Sequence, residues 1–232
     1  MFIIVWKKLK GTIYNMKKLC VFDLDGTLMN TIPAISYFGN SALTKFGFPE
    51  IEPNRYKLLV GNGRDLLIHR MLAETGSDTE ENFENVGKAY DALYEADPLY
   101  KTAPYDGVLN LLDTLKDKGF TLAVLSNKPD NVTQDVVRLF FGERFDVIAG
   151  QKKGVAPKPD PAGVYAILSE LKMTAEESYF IGDTYVDITT GKNAGIESIG
   201  VLWGFRDRAE LEGAGADHIV AHAEEILNII LK

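Results

Sequence analysis

Two aspartates, Asp23 and Asp25, stand two residues apart between an apolar run, Cys20-Val21-Phe22, and Gly26-Thr27-Leu28-Met29. In an extended chain, alternate side chains point the same way, so both carboxylates would face one site. One carboxylate can attack phosphorus in line with a leaving oxygen, giving an acyl phosphate that water hydrolyses. A second can protonate the leaving group and then activate the water. This geometry suggests Asp23 as nucleophile and Asp25 as acid/base, although an Asp-Leu-Asp alone does not set the order and often marks a plain turn or helix start.

Other reactive groups also follow apolar runs. Ser126-Asn127 follows Phe120 to Leu125, and Gly182-Asp183-Thr184 follows Tyr179-Phe180-Ile181, with Asp187 in the next turn of chain. Lys158 lies in Ala156-Pro157-Lys158-Pro159, after a further apolar stretch. Taken singly these are a helix cap, a turn and a surface lysine. Taken together they are a cluster of acids with one lysine and hydroxyl or amide donors. Such acids repel one another unless a cation joins them. Oxygen ligands without paired histidines or cysteines favour Mg²⁺ over zinc. His69, His218 and His222 are too scattered for a metal trio and are expected at the surface, and Cys20 is the only cysteine. Mg²⁺, Lys158, Ser126 and main-chain amides would supply the positive charge and donors that a transferring phosphoryl group needs.

The elements must bring these residues together. In a parallel sheet the C-terminal ends of the strands share one edge, where the ligands of open α/β sheets bind. Strands are predicted over Cys20–Phe22, Phe120–Leu125, Phe145–Ala149, Tyr179–Ile181 and Glu197–Val201, with a short edge strand over Asp217–Val220. Helices alternate with them: one capped by Asp106 and carrying Val108, Leu111 and Leu115, one through Val132, Val136 and Leu139, one over Gly163–Leu171, one ending at Gly195, and a closing helix with Ile226 and Ile230. Between Thr31 and Tyr100 the apolar spacing is helical throughout, with Ile32, Ile35, Phe38, Ala42, Leu43 and Phe46 on one face. Pro98 and Pro104 mark the return to strand-helix alternation, which indicates a three-layer α/β fold. The expected units are an extension over 1–15, a core over 16–30 and 101–232, and an inserted all-helical domain over 31–100.

Composition narrows the partners. The formal charge is -8 and the basic residues are dispersed, which disfavours a nucleic-acid partner. No apolar run reaches a membrane-spanning length. Phe2 to Trp6 is too short for a signal peptide, and residues 1–15 precede a second methionine, Met16, so they read as dispensable or as a misplaced start. A single cysteine fits a reducing compartment, and the expected location is the cytoplasm. The oligomeric expectation is a monomer or homodimer.

At these residues the chain resembles the haloacid dehalogenase-like superfamily, in particular its phosphoglycolate phosphatase-like phosphatases. The motifs are Asp23-Leu24-Asp25-Gly26-Thr27-Leu28, Ser126 with Asn127, Lys158-Pro159, and Gly182-Asp183-Thr184-Tyr185-Val186-Asp187. The resemblance implies a Rossmann-like core with a mostly parallel sheet, and the helical insert as a cap. It implies Asp23 as nucleophile, Asp25 as acid/base and Lys158 as the residue that holds phosphate and neutralises Asp23. Mg²⁺ would be held by Asp23, the main-chain carbonyl of Asp25, Asp183 and Asp187, the last directly or through water. Thr27, Ser126, Asn127 and Lys158 would contact phosphate. Asp25 argues against a true dehalogenase, which lacks an acid there. Val60-Gly61-Asn62-Gly63 and Gly200-Val201-Leu202-Trp203-Gly204 are similar to phosphoglycolate phosphatases. The cap would shield a phospho-enzyme from stray water and admit only small esters, and Arg64 could pair with a substrate carboxylate. The expectation is a Mg²⁺-dependent phosphatase for a small phosphate ester, best matched by 2-phosphoglycolate. The alternatives are a β-phosphoglucomutase-like phosphomutase, a pyrophosphatase or sugar-phosphate phosphatase, and, more remotely, a non-catalytic phosphate-binding module.

Overall fold

The computed structural model describes residues 18–97 and 100–231. The proposed extension over 1–15 and Pro98 lie outside the described residues. Strand β1 (Leu19–Phe22) is buried along its whole length, as befits a strand covered by helices on both faces. It lies between β4 (Thr121–Pro129) and β6 (Ser178–Gly182) in a sheet of order β5-β4-β1-β6-β7-β8. The remaining strands are β5 (Val147–Gln151), β7 (Glu197–Val201) and β8 (His218–Val220), and all the pairings are parallel. The chain adds strands on one side of β1 and then crosses to the other. The strand order therefore reverses around β1, where α/β sheets open a crevice.

Alternation along β1 makes the layers. Cys20 and Phe22 face a core shared with Leu111 and Leu115 of α5 (Val108–Asp117), Val136 of α6 (Asp130–Phe141) and Ile226 of α10 (Ala223–Ile230). Leu19 and Val21 face the opposite core, with Val164 and Ile167 of α7 (Ala162–Leu171) and Ala194 of α8 (Tyr185–Ala194). Helix α9 (Arg208–Ala214) joins β7 to β8. Each face contributes apolar burial that favours folding in proportion to area.

The helices after β1 are α1 (Ile32–Lys45), α2 (Tyr56–Leu59), α3 (Arg64–Glu74) and α4 (Glu80–Ala96). They enclose a separate core containing Ile35, Phe38, Leu43, Tyr56, Met71 and Val86. The helical periodicity of this segment thus corresponds to mutual packing of its helices.

The structure departs from the sequence expectations at several element ends. The chain leaves and re-enters the core through two short strands, β2 (Met29–Asn30) and β3 (Ala103–Pro104), paired antiparallel. Two residues carry no readable alternation. Asp106 does not cap α5; Gly107 occupies that position with φ 77°, and α5 has no side-chain cap. β4 continues past its apolar run through Ser126, Asn127 and Lys128, and β5 starts after Phe145. No helix among the described residues is long and apolar enough to cross a membrane.

Candidate active site

The parallel register places the reactive residues. Phe22 is level with Val124 on one neighbour and with Ile181 on the other. The residues that follow, Asp23, Ser126 and Asp183, therefore lie along one edge of the sheet, with Ser126 still inside β4. Asp23 is still tied to β6 by its amide, which donates to the Ile181 carbonyl at 2.9 Å. Beyond it the chain curls tightly, with the Leu24 carbonyl accepting from the amides of Leu28 at 3.0 Å and Met29 at 2.9 Å. Gly26 sits at φ 94°, and a Cβ there would run into the Asp183 carboxylate. Only glycine satisfies both the conformation and the approach. Gly204 meets Asp183 equally closely from the β7–α9 loop, and the neighbouring Trp203 indole donates to the Thr27 carbonyl at 2.9 Å.

Asp23, Asp183 and Asp187 form a buried trio in which one oxygen from each carboxylate lies within 4.8 Å of the other two. Lys158 Nζ bridges two of them, 2.8 Å from Asp23 Oδ1 and 2.7 Å from Asp187 Oδ1. Asp187 closes a capping box at the start of α8, its Oδ2 accepting from the Thr184 amide at 3.1 Å and hydroxyl at 2.9 Å. Asp183 accepts from the Thr27 hydroxyl at 3.2 Å and the Phe205 amide at 2.8 Å. Three clustered carboxylates thus have one ammonium among them, and it contacts only Asp23 and Asp187. Burial, followed by the negative charges of Asp187 and Asp25, raises the Asp23 pKa to about 7, although Lys158 pulls against this. Burial and the charges of Asp187 and Asp23 also push Asp183 well above the usual carboxylate range. Burial works to lower the Lys158 pKa, but Asp187 and Asp23 outweigh it and hold the ammonium charged. A buried, oxygen-only set with excess negative charge fits a hard divalent cation, and Mg²⁺ supplies that charge.

The other expected residues divide. Ser126 is buried and lines the same cavity as Asp23 and Lys158, and its hydroxyl oxygen accepts from the Lys128 amide at 3.2 Å. Asn127 is spent on scaffolding: Nδ2 donates to the carbonyls of Lys158 at 3.0 Å and Gly61 at 3.2 Å, and Oδ1 accepts from the Lys158 amide at 2.8 Å. It fixes the lysine loop and ties it to the helical insert. Thr27 is buried with its hydroxyl on Asp183. Arg64 opens α3 and lines the cavity, but its guanidinium is paired with Asp91 at 2.9 and 2.7 Å and with Asp65 at 2.9 Å. Outside the site, His69 pairs with Asp78 and His218 with Glu197.

Asp25 lies outside the trio. Both its oxygens lie 3.3 Å from Lys128 Nζ, which also donates to the Tyr94 hydroxyl of α4 at 2.7 Å. Sequence reasoning passes over Lys128, since a lysine before a proline reads as surface; its only signal is its position just after Ser126-Asn127. These groups line a cavity of about 550 Å³ between the sheet edge and the helical insert, bounded also by Gly61, Asn62 and Gly63. Two further contacts hold the insert over it. Arg206 donates to the Lys57 and Val60 carbonyls at the end of α2, and Asn62 Nδ2 donates to the Tyr185 hydroxyl at 3.1 Å.

Comparison with known proteins agrees with this arrangement. Residues 20–201 match the profile of the family described as "Haloacid dehalogenase-like hydrolase". The chain is 31% identical to a phosphoglycolate phosphatase of Mannheimia succiniciproducens, over 92% of this chain and 98% of that protein. It is equally 31% identical to a phosphoglycolate phosphatase of Vibrio cholerae, over 92% of this chain and 97% of that protein. A crystal structure from Lactobacillus delbrueckii subsp. bulgaricus, provisionally described as a phosphoglycolate phosphatase, superposes with a TM-score of 0.89 at 29% identity, covering 93% of this chain and 98% of that one.

Proposed function

This chain belongs to the haloacid dehalogenase-like hydrolases, in their phosphoglycolate-phosphatase-like group, and from that premise we propose that it hydrolyses 2-phosphoglycolate to glycolate and phosphate. It is a Mg²⁺-dependent phosphatase of small phosphate monoesters. The observation that carries the mechanism is the buried Asp23, Asp183 and Asp187 trio bridged by Lys158.

In this reading Asp23 is the nucleophile. Lys158 holds Oδ1 and leaves Oδ2 to form a bond to phosphorus as the ester P–O bond breaks. Asp25 gives its proton to the departing ester oxygen. It then takes a proton from the water that attacks the aspartyl phosphate, so Asp23 is restored and phosphate is released. Lys158 and Ser126 face the phosphoryl oxygens. Asp23, Asp183, Asp187 and the main-chain carbonyl of Asp25 would hold Mg²⁺, which would supply positive charge to the phosphoryl group. Thr27 and Asn127 act by positioning Asp183 and Lys158. The helical insert serves as a cap, which excludes water while the phospho-enzyme persists. The protein would work in the cytoplasm, as a monomer or homodimer, on a diffusible ester.

A phosphate-release panel over 2-phosphoglycolate, pyrophosphate, sugar phosphates and nucleotides, with and without Mg²⁺, tests the substrate. Release that requires Mg²⁺ and is fastest from 2-phosphoglycolate is expected. Preference for a sugar phosphate or pyrophosphate would overturn the assignment.

A further inference from the structure

A phosphate ester has two ends, and the mechanism above accounts for only one. The cation expected for the other end, Arg64, is already paired with Asp91 and Asp65. Lys158 is clamped between Asp23 and Asp187. Lys152 lines the cavity wall but is mostly exposed and turned toward Asp130. Lys128 is different. Its side chain is only 7% exposed, yet it borders the cavity. An ammonium has three donors and no acceptor. Here the Tyr94 hydroxyl engages Nζ closely, at 2.7 Å, while both Asp25 oxygens stand off at 3.3 Å. Charge-assisted contacts normally close to about 2.7–2.9 Å, so the ammonium has room to serve a second anion on that side.

The geometry points to Lys128 as the specificity-determining residue, recognising a carboxylate borne on the carbon attached to the scissile ester oxygen. It rests on the reading of Asp25 as the acid that meets that oxygen. Ordinary bond lengths place the oxygens of such a carboxylate within about 4 Å of the ester oxygen. Lys128 Nζ is 3.3 Å from the group that protonates it. A carboxylate on the adjacent carbon therefore falls beside Nζ, whereas a neutral end leaves the ammonium with Asp25 and the Tyr94 hydroxyl. The preferred substrate class is phosphate esters of 2-hydroxy acids. Because Tyr94 comes from α4 and Lys128 from β4, the anion pocket is complete only with the helical insert seated on the core.

The test compares kcat/KM for 2-phosphoglycolate and for 2-hydroxyethyl phosphate, an ester of the same chain length with a neutral end, in wild type, Lys128→Met and Lys128→Arg. Wild type is expected to favour the carboxylate ester by about 10- to 100-fold, the range of a charged hydrogen bond. Lys128→Met brings the ratio near one, chiefly through KM, and Lys128→Arg keeps most of it. Loss common to both esters reflects the contact with Asp25 and cancels in the ratio. A second measurement needs no variant: glycolate should compete with substrate in wild type, and ethylene glycol at equal concentration should not. An unchanged ratio in Lys128→Met, equal competition by the two alcohols, or a wild type indifferent to the carboxylate overturns the role of Lys128 and leaves the phosphatase reading standing. Absence of phosphate release from either ester overturns both.

Discussion

The chemistry depends on how three buried carboxylates and one lysine share charge. If Asp23 attacks phosphorus, Asp23→Asn should reduce turnover to background. It should melt no lower than wild type in Mg²⁺-free buffer at about pH 8, because it removes a buried charge that burial already disfavours; a lower melting point would contradict this. Asp25→Asn should cost about 10²–10⁴-fold in kcat, the range of general acid–base catalysis. The charge balance also sets a pH dependence. Asp23 binds its proton more tightly folded, with a pKa raised from 3.8 to about 7. Its contribution to metal-free stability is therefore complete below the unfolded pKa and disappears as pH rises through the folded one. A divalent cation bound by Asp23 must displace that proton. The rise in melting temperature on adding Mg²⁺ should consequently be larger at about pH 8 than at about pH 6, and equal shifts would contradict this electrostatic picture. Asp23, Ser126, Lys158, Asp183 and Asp187 are legible in sequence because each ends or follows an apolar run. The pairing of Arg64 with Asp91 and of Lys128 with Asp25 is not, since helix packing, not local pattern, joins residues so far apart in the chain.

At the scale of elements, the site exists because β1, β4 and β6 run parallel in matched register and release their polar residues at one edge. The fold class was readable from apolar runs alternating with helical spacing. The β2–β3 pair was not, because two-residue strands have no period, nor was the start of α5, where Gly107 takes a left-handed conformation instead of Asp106 capping. Two glycine-lined approaches to Asp183 make a sharp prediction. Gly26→Ala would add a Cβ against the Asp183 carboxylate at a positive φ. It should abolish the Mg²⁺-dependent rise in melting temperature along with turnover, and a variant that retained both would show that the turn tolerates a side chain. Arg206 joins the α9 side of the core to α2, with its Nε also on Glu210 at 3.1 Å. Arg206→Ala should raise KM more than it lowers kcat and increase protease cleavage near residues 57–63, since it frees the two carbonyls that hold this turn down. Unchanged KM and protection would mean the turn is held by other contacts.

For the molecule as a whole, the helical insert has a core that Phe205 of the β7–α9 loop joins and Val132 of α6 packs against, and the insert and the sheet edge enclose a cavity of about 550 Å³. That volume suits a metabolite-sized ester and leaves no room for a folded macromolecule. The same closure explains why a reactive acyl phosphate could persist on Asp23 long enough for the alcohol to leave. The central claim, that the enzyme works through a phospho-enzyme on Asp23, is tested most directly by acid-quenched single turnover of ³²P-labelled 2-phosphoglycolate with Mg²⁺ and excess enzyme. The expected result is transient, hydroxylamine-labile label on the peptide containing Asp23, absent in Asp23→Asn. Phosphate release at the full rate with no label on that peptide at any quench time would contradict it.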